Sequence, residues 1–288
     1  MPSSSPAASG ATLSNSEVPS FPAVANAILR LAARDDVTLE ELAEVISADG
    51  VIASEVLRMA NSAFVGARGE VRSIVQAATF LGLKRVSSIA ASVAMRSSLG
   101  HLWRKPVVRQ CWQHNLASAL TAEQMARWLN LDPQAAYTAG LLHDIGRLGL
   151  LMRHQDECAG FITIEQAPDV DFLAVERERF GMDHADMGQR MIAALDLPEQ
   201  LRQAAGRHHD VPAAPNDDFT TFIHVACELS SAMGFGIRAP RGADAGTGDL
   251  ERLLAGLPER ARAQLASRHG RLTDMVTSMV EAFDRALT

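Results

Sequence analysis

Nowhere does this chain alternate apolar and polar residues for long enough to make a strand; its apolar residues return every three or four positions instead. That spacing puts them on one face of a helix, and it recurs from Pro22 almost to the end of the chain. The stretch LEELAEVISAD is typical, with Leu39, Leu42, Ala43 and Ile46 on one side and Thr38 and Glu41 set as a capping box at its start. Ala and Leu abound while aromatics make up only 5% of the residues, a balance that favours helix, because β-branched and aromatic residues are the ones that gain in a sheet. An all-α fold is expected, with 288 residues able to bury one large core or two modest ones.

Further helix starts are marked at Ser73-Ile74-Val75-Gln76, a second capping-box pattern, and at Asp132-Pro133, an N-cap followed by proline. The helix VIASEVLRMANSAF is expected to end near Gly66, and Gly82 to make a turn between two helices. The helix opened by Asp132 carries the most apolar stretch of the chain, AAYTAGLLHDIGRLGLL, and is expected to stop at Gly146. The leader MPSSSPAASGATLSNSE, residues 1–17, lacks the basic start and apolar run of a signal peptide and reads as disordered. No apolar run approaches the roughly 20 residues of a membrane helix. Cys111, Cys158 and Cys227 are odd in number and widely spaced, which argues against a disulfide framework and for a reducing cytoplasm.

The net charge of −7 is unevenly spread. Between Gly66 and Gln110, eight Arg and Lys residues face only Glu70, so this segment is +7 and the rest of the chain −14. Lys84 and Arg85 follow the Gly82 turn, in the outline of a helix-turn-helix. The helix they begin, however, is small and apolar on most sides, as a packing helix is and a groove reader is not. A solvated helical face accounts for the charges without nucleic acid.

The histidines have a common setting. His114 has Ala117, Ser118 and Thr121 on its face; His143 has Ala136, Ala139 and Gly140; His208 and His209 have Ala204, Ala205 and Gly206 below them. His184 precedes Gly188 by one turn. Imidazoles on faces of small side chains can meet where helices approach closely. With Asp144 beside His143, such a group suits zinc, iron or manganese, and a metal so held would polarise a phosphoryl oxygen and activate water.

The segments AGLLHDIGRLGLL, WQHNLASA, RFGMDHADMGQRMIAAL and LPEQLRQAAGRHHD, in this order, resemble the HD superfamily of metal-dependent phosphohydrolases. The N-terminal half, VISADGVIASEVLRMANSAF and VRSIVQAATFLGLKRVSSIAASVAMR, narrows the resemblance to the HDOD domain, the HD-related output domain of bacterial signalling proteins. It covers roughly Val18 to Met233. It implies an N-terminal helical bundle (18–100) packed on an HD-like helical core (101–233), with 234–288 a loop and a C-terminal helical segment. On the family pattern, His114, His143, Asp144, His184 and His208 or His209 are the metal positions; Arg147, or Lys84 or Arg85 from the basic segment, would meet phosphate or another ligand.

The departures from that pattern matter. Cys227 stands where the late-helix Asp of active enzymes is expected, Arg147 replaces the lysine often found after HDxG, and HHDVPAAPND carries no GYP signature. The resemblance therefore implies a non-catalytic regulatory module that relays a signal by binding a signalling protein in trans or a small nucleotide, with room for a retained iron, zinc or manganese ion. The alternative is a metal-dependent phosphohydrolase acting on a nucleotide or cyclic dinucleotide.

Overall fold

The computed structural model describes residues 18–61, 71–157, 171–237 and 247–287, and among these there is helix and no strand. The leader, Cys158 and most of the glycine-rich stretch after Pro240 lie outside the described residues. Helix starts fall where side chains satisfy the free N–H groups. α1 (Ala23–Ala32) is followed by α2 (Leu39–Ser47), whose capping box is complete: Thr38 Oγ1 accepts from the Glu41 N–H and the Glu41 carboxylate from that of Thr38. α3 (Gly50–Ala60) is capped by Asp49 and ends before the expected Gly66. α4 (Ile74–Leu81) has half a box: Ser73 accepts from the Gln76 N–H, but the Gln76 side chain turns to the N–H of Arg72.

After the Gly82 turn, α5 (Leu83–Ser97) is buried along Val86–Met95, so its middle faces protein on every side. α5 packs on α1, α3 and α4 to close an N-terminal bundle, and it also reaches the next layer. That layer begins with α6 (Pro106–Leu129) and α7 (Pro133–Leu142), which pack along their length. The seam between the two layers is polar and paired. Ser88 donates to the Gln134 side-chain oxygen at 2.9 Å, Ser92 and the Tyr137 hydroxyl are 2.6 Å apart, and Thr138 donates to the Ala32 carbonyl at the end of α1. Each of these hydroxyls would cost energy if buried alone, so the pairing fixes how bundle and core meet.

The second layer continues with α8 (Ile145–Arg153), α9 (Phe172–Phe180), α10 (His184–Ala194), α11 (Glu199–Arg207) and α12 (Phe219–Ser230). A π-turn, Ser231–Phe235, extends α12. α13 (Thr247–Leu254), α14 (Glu259–Ala266) and α15 (His269–Leu287) complete the chain. α15 lies on α6 and α3 and buries Leu272, Val276, Val280 and Phe283 there, so it covers the core. Full burial of such side chains is worth about 1.5–3 kcal/mol each.

The basic residues of α5 are answered from within. Arg85 pairs with buried Glu123 of α6 at 3.1 Å, Arg96 with buried Glu55 of α3 at 2.6 Å, and exposed Lys84 lies between Asp35 and Asp132 at 3.6 and 3.7 Å.

The helix opened by Asp132 does not run on to Gly146. It ends at Leu142, the chain bends at His143-Asp144, and α8 sets off in a new helix from Ile145. Gly146 serves clearance instead of termination. A Cβ there would stand 1.9 Å from the His184 carbonyl oxygen and 2.3 Å from the Gly188 nitrogen of α10. At Gly140 it would stand 2.7 Å from the backbone of Ser118 and Ala119 on α6. Both obstacles are backbone, so neither helix pair can accommodate a methyl without separating. Gly146→Ala is expected to cost about 3 kcal/mol, at the upper end for overpacking, and to lower Tm by roughly 5–10 °C in a thermal melt. An unchanged melt would show that α8 and α10 are not in this contact.

A candidate metal centre

The close approaches at Gly140 and Gly146 lie where seven helices, α6 to α12, converge. α6 supplies His114 and the α7–α8 bend supplies His143 and Asp144, with Arg147 one turn into α8. α9 supplies Glu176, α10 starts on His184, the end of α11 carries His208 and His209, and α12 supplies Cys227. The rings of His114 and His143 are 5.2 Å apart between centroids, those of His143 and His208 4.9 Å, and those of His184 and His209 5.0 Å. Every histidine position anticipated from the sequence is therefore in one cluster, buried except for half-buried His209. Lys84 and Arg85 are not brought to it. Lys84 lies beside Asp132, at the far end of α7 from His143, about 15 Å along the helix axis.

Four of the rings are held in one tautomer. His114 Nδ1 donates to the Phe235 carbonyl in the π-turn at 3.1 Å, His143 Nδ1 to the Gly140 carbonyl at 2.7 Å, and His208 Nδ1 to the Ala205 carbonyl at 2.9 Å. His184 Nδ1 donates to the Glu176 carboxylate at 2.6 Å, which also accepts the His184 backbone N–H. Each Nε2 thus keeps its lone pair and points inward, the arrangement by which outer partners orient metal-binding imidazoles.

The donor atoms fall into two groups, each with its members within 4.8 Å of one another: His114, His143 and Cys227, and His184, His208 and His209. Asp144 lies by the second, with Oδ1 3.4 Å from His184 Nε2 and 3.9 Å from His208 Nε2. The Nε2 atoms of His143 and His208 and the Oδ1 of Asp144 are buried without a hydrogen-bond partner, which is what a cation-binding pocket leaves for its ion. The residues present fit a metal.

Arg147 is the other charge in the pocket. Its Nε donates to Asp144 Oδ2 at 2.9 Å, its guanidinium lies 3.7 Å from Glu176 Oε1, and it donates to His184 Nε2 at 3.3 Å. Burial disfavours its charge, but Asp144 and Glu176 outweigh burial and hold it firmly protonated. Burial likewise opposes ionisation of Asp144, and Arg147 with the surrounding imidazoles holds the carboxyl below its usual range all the same. Glu176 is lowered against its own burial by His184 and Arg147. Burial, with His143 beside it, pushes His114 down to about 3; His143, His208 and His209 are pushed down for the same first reason. Burial thus favours the neutral, ligating form of His114, His143, His208 and His209.

Sequence reasoning placed Cys227 at this site but missed Glu176, whose stretch ERER looks like a solvated face. Phe172, stacked on His184 at 5.4 Å, was missed as well.

Among the described residues no helix is long and apolar enough to cross a membrane. Comparison with known proteins agrees with the architecture. A solved HDOD domain protein from Geobacter sulfurreducens is 22% identical, with 92% of this chain and 93% of that one covered at a TM-score of 0.71. A candidate phosphohydrolase from Shewanella amazonensis SB2B is 22% identical, covering 91% and 95% at a TM-score of 0.69. At this identity both speak for the fold. An uncharacterized protein of Treponema pallidum is 22% identical over 203 residues, 70% of this chain, and the chain spans only 39% of that relative. The family model for the HDOD domain matches residues 18–211, most of the chain. This chain belongs to the HDOD family.

Proposed function

We propose that this chain is a non-catalytic regulatory module of bacterial signal transduction, which relays a signal by binding a separate signalling protein or a small nucleotide. The observation that carries the non-catalytic part is the position of Arg147. A two-metal hydrolase uses a carboxylate to bridge its ions. Here the carboxylate beside His143 is engaged by a buried guanidinium at 2.9 Å, and the late helix offers a thiol, Cys227, instead of a second carboxylate. Family membership supports the signalling part.

The test is hydrolysis by the full chain, loaded with manganese or iron, of a chromogenic phosphodiester and of cyclic dinucleotides. Turnover no greater than that of the metal alone is expected. Metal-dependent turnover that disappears in His143→Ala would overturn the reading. It would establish the second one, a metal-dependent phosphohydrolase, which the unpartnered Nε2 atoms of His143 and His208 favour. A solved candidate metal-dependent phosphohydrolase from Shewanella amazonensis SB2B shares the fold at a TM-score of 0.58. Under the first reading, Cys227→Asp is the change that brings the site nearest to hydrolysis.

A further inference from the structure

We infer that the core binds one divalent cation of the zinc class through His114 Nε2, His143 Nε2 and Cys227 Sγ, with the guanidinium of Arg147 standing where a second cation would otherwise sit. The Cys227 sulfur is 3.5 Å from His114 Nε2. With Zn–N near 2.0–2.1 Å and Zn–S near 2.3 Å, the ligand-to-ligand edge of a tetrahedral site is about 3.5 Å, so these two atoms are already at coordinating separation. His143 Nε2 completes the group, lies in a side chain 1% exposed, and has no hydrogen-bond partner. Thiolate and imidazole together select zinc or iron over manganese or magnesium.

The second group of donors is differently occupied. Arg147 donates to His184 Nε2 at 3.3 Å, and His209 Nε2 is 2.8 Å from the same atom. The lone pair a second ion would need at His184 is engaged, and a fixed positive charge stands in the pocket. Charge counting agrees. One dication, one Cys227 thiolate, the Arg147 guanidinium and the carboxylates of Asp144 and Glu176 sum to zero. A second dication would leave two uncompensated positive charges in a buried site, which the interior does not tolerate. Binding releases the Cys227 thiol proton to solvent as the sulfur–metal bond forms. This inference concerns the same site as the non-catalytic reading and rests on it only in requiring no second ion.

The test is cobalt(II) titration of the chelator-stripped full chain, read by elemental analysis and near-ultraviolet absorption. One equivalent of cobalt is expected, with a thiolate-to-cobalt charge-transfer band. Cys227→Ser should lose the band and bind cobalt more weakly, while Cys111→Ser keeps both the band and the affinity. Where Cys227→Ser does not fold, Cys227→Asp carries the same test, with cobalt bound and the band absent. Two equivalents in the wild type would overturn the inference and the non-catalytic reading together, since Arg147 would then exclude nothing. A band that survives in Cys227→Ser, or one equivalent without a band, would overturn the thiolate site alone. So would a chain that keeps its helical circular dichroism and takes up no cobalt; the signalling reading stands in each of these cases.

Discussion

Arg147→Met is expected to destabilise the protein by about 3–5 kcal/mol, the cost of removing one partner from a buried ion pair. The pair is well inside: Arg147 is 4% exposed, and Asp144 and Glu176 are each 2% exposed. Methionine fills much of the volume, so the loss is electrostatic and leaves the buried carboxylates of Asp144 and Glu176 without their guanidinium. Asp144→Asn in the same chain should recover part of it, because one of the orphaned charges is then gone. Urea unfolding of wild type, single and double variants reads this directly as a coupling between the two sites. Added zinc should also raise the Tm of Arg147→Met more than that of the wild type, since an ion that binds only the folded state stabilises it. Equal midpoints for wild type and Arg147→Met would show that the guanidinium is not in the core.

Chelator-stripped protein is expected to lose stability steeply as the pH falls from 7 to 5. Folded His114 takes a proton only near pH 3, whereas in the unfolded chain it does so near 6.5. Between those values the unfolded state binds more protons, so stability falls with pH across the window. At pH 5 His114 alone contributes a loss of about 2 kcal/mol. His143, His208 and His209 are depressed in the same sense and add to it. Asp144 and Glu176 titrate lower when folded than when unfolded, so they extend the loss below about pH 4. Melts at pH 7.5 and 5.0 should differ by roughly 10 °C or more, and His114→Gln should flatten the profile. A flat wild-type profile would mean that the rings reach water or accept protons in the folded state.

Local rules made much of this fold legible. Thr38 and Glu41 form the complete box their spacing implies, and Asp132-Pro133 opens α7 where it should. The small residues beside each histidine forecast close helix approach, and Gly140 and Gly146 show how close. What escaped the sequence is of one kind. Gly146 looks like a helix stop because a lone glycine usually weakens a helix; its reason is the backbone of α10, some 40 residues away, which no local pattern reports. Arg147 is three residues from Asp144, so that pairing could be read along a helix, but Glu176 arrives on a different helix. Lys84 and Arg85 looked available for a ligand for the same reason: Asp35, Asp132 and Glu123 are distant in sequence and near in space.

The π-turn after α12 sits directly against the histidine cluster. The carbonyl of Phe235 fixes the proton of His114 on Nδ1, and the next two carbonyls, of Gly236 and Ile237, accept from the Gln110 side chain one turn below on the same helix. This short segment is the start of the path to the C-terminal helices. With Phe235 withdrawn, the imidazole would be free to move its proton to Nε2 and would cease to be a ligand there. The ligand face of His114 and the start of the route to the C-terminal helices thus share one short segment.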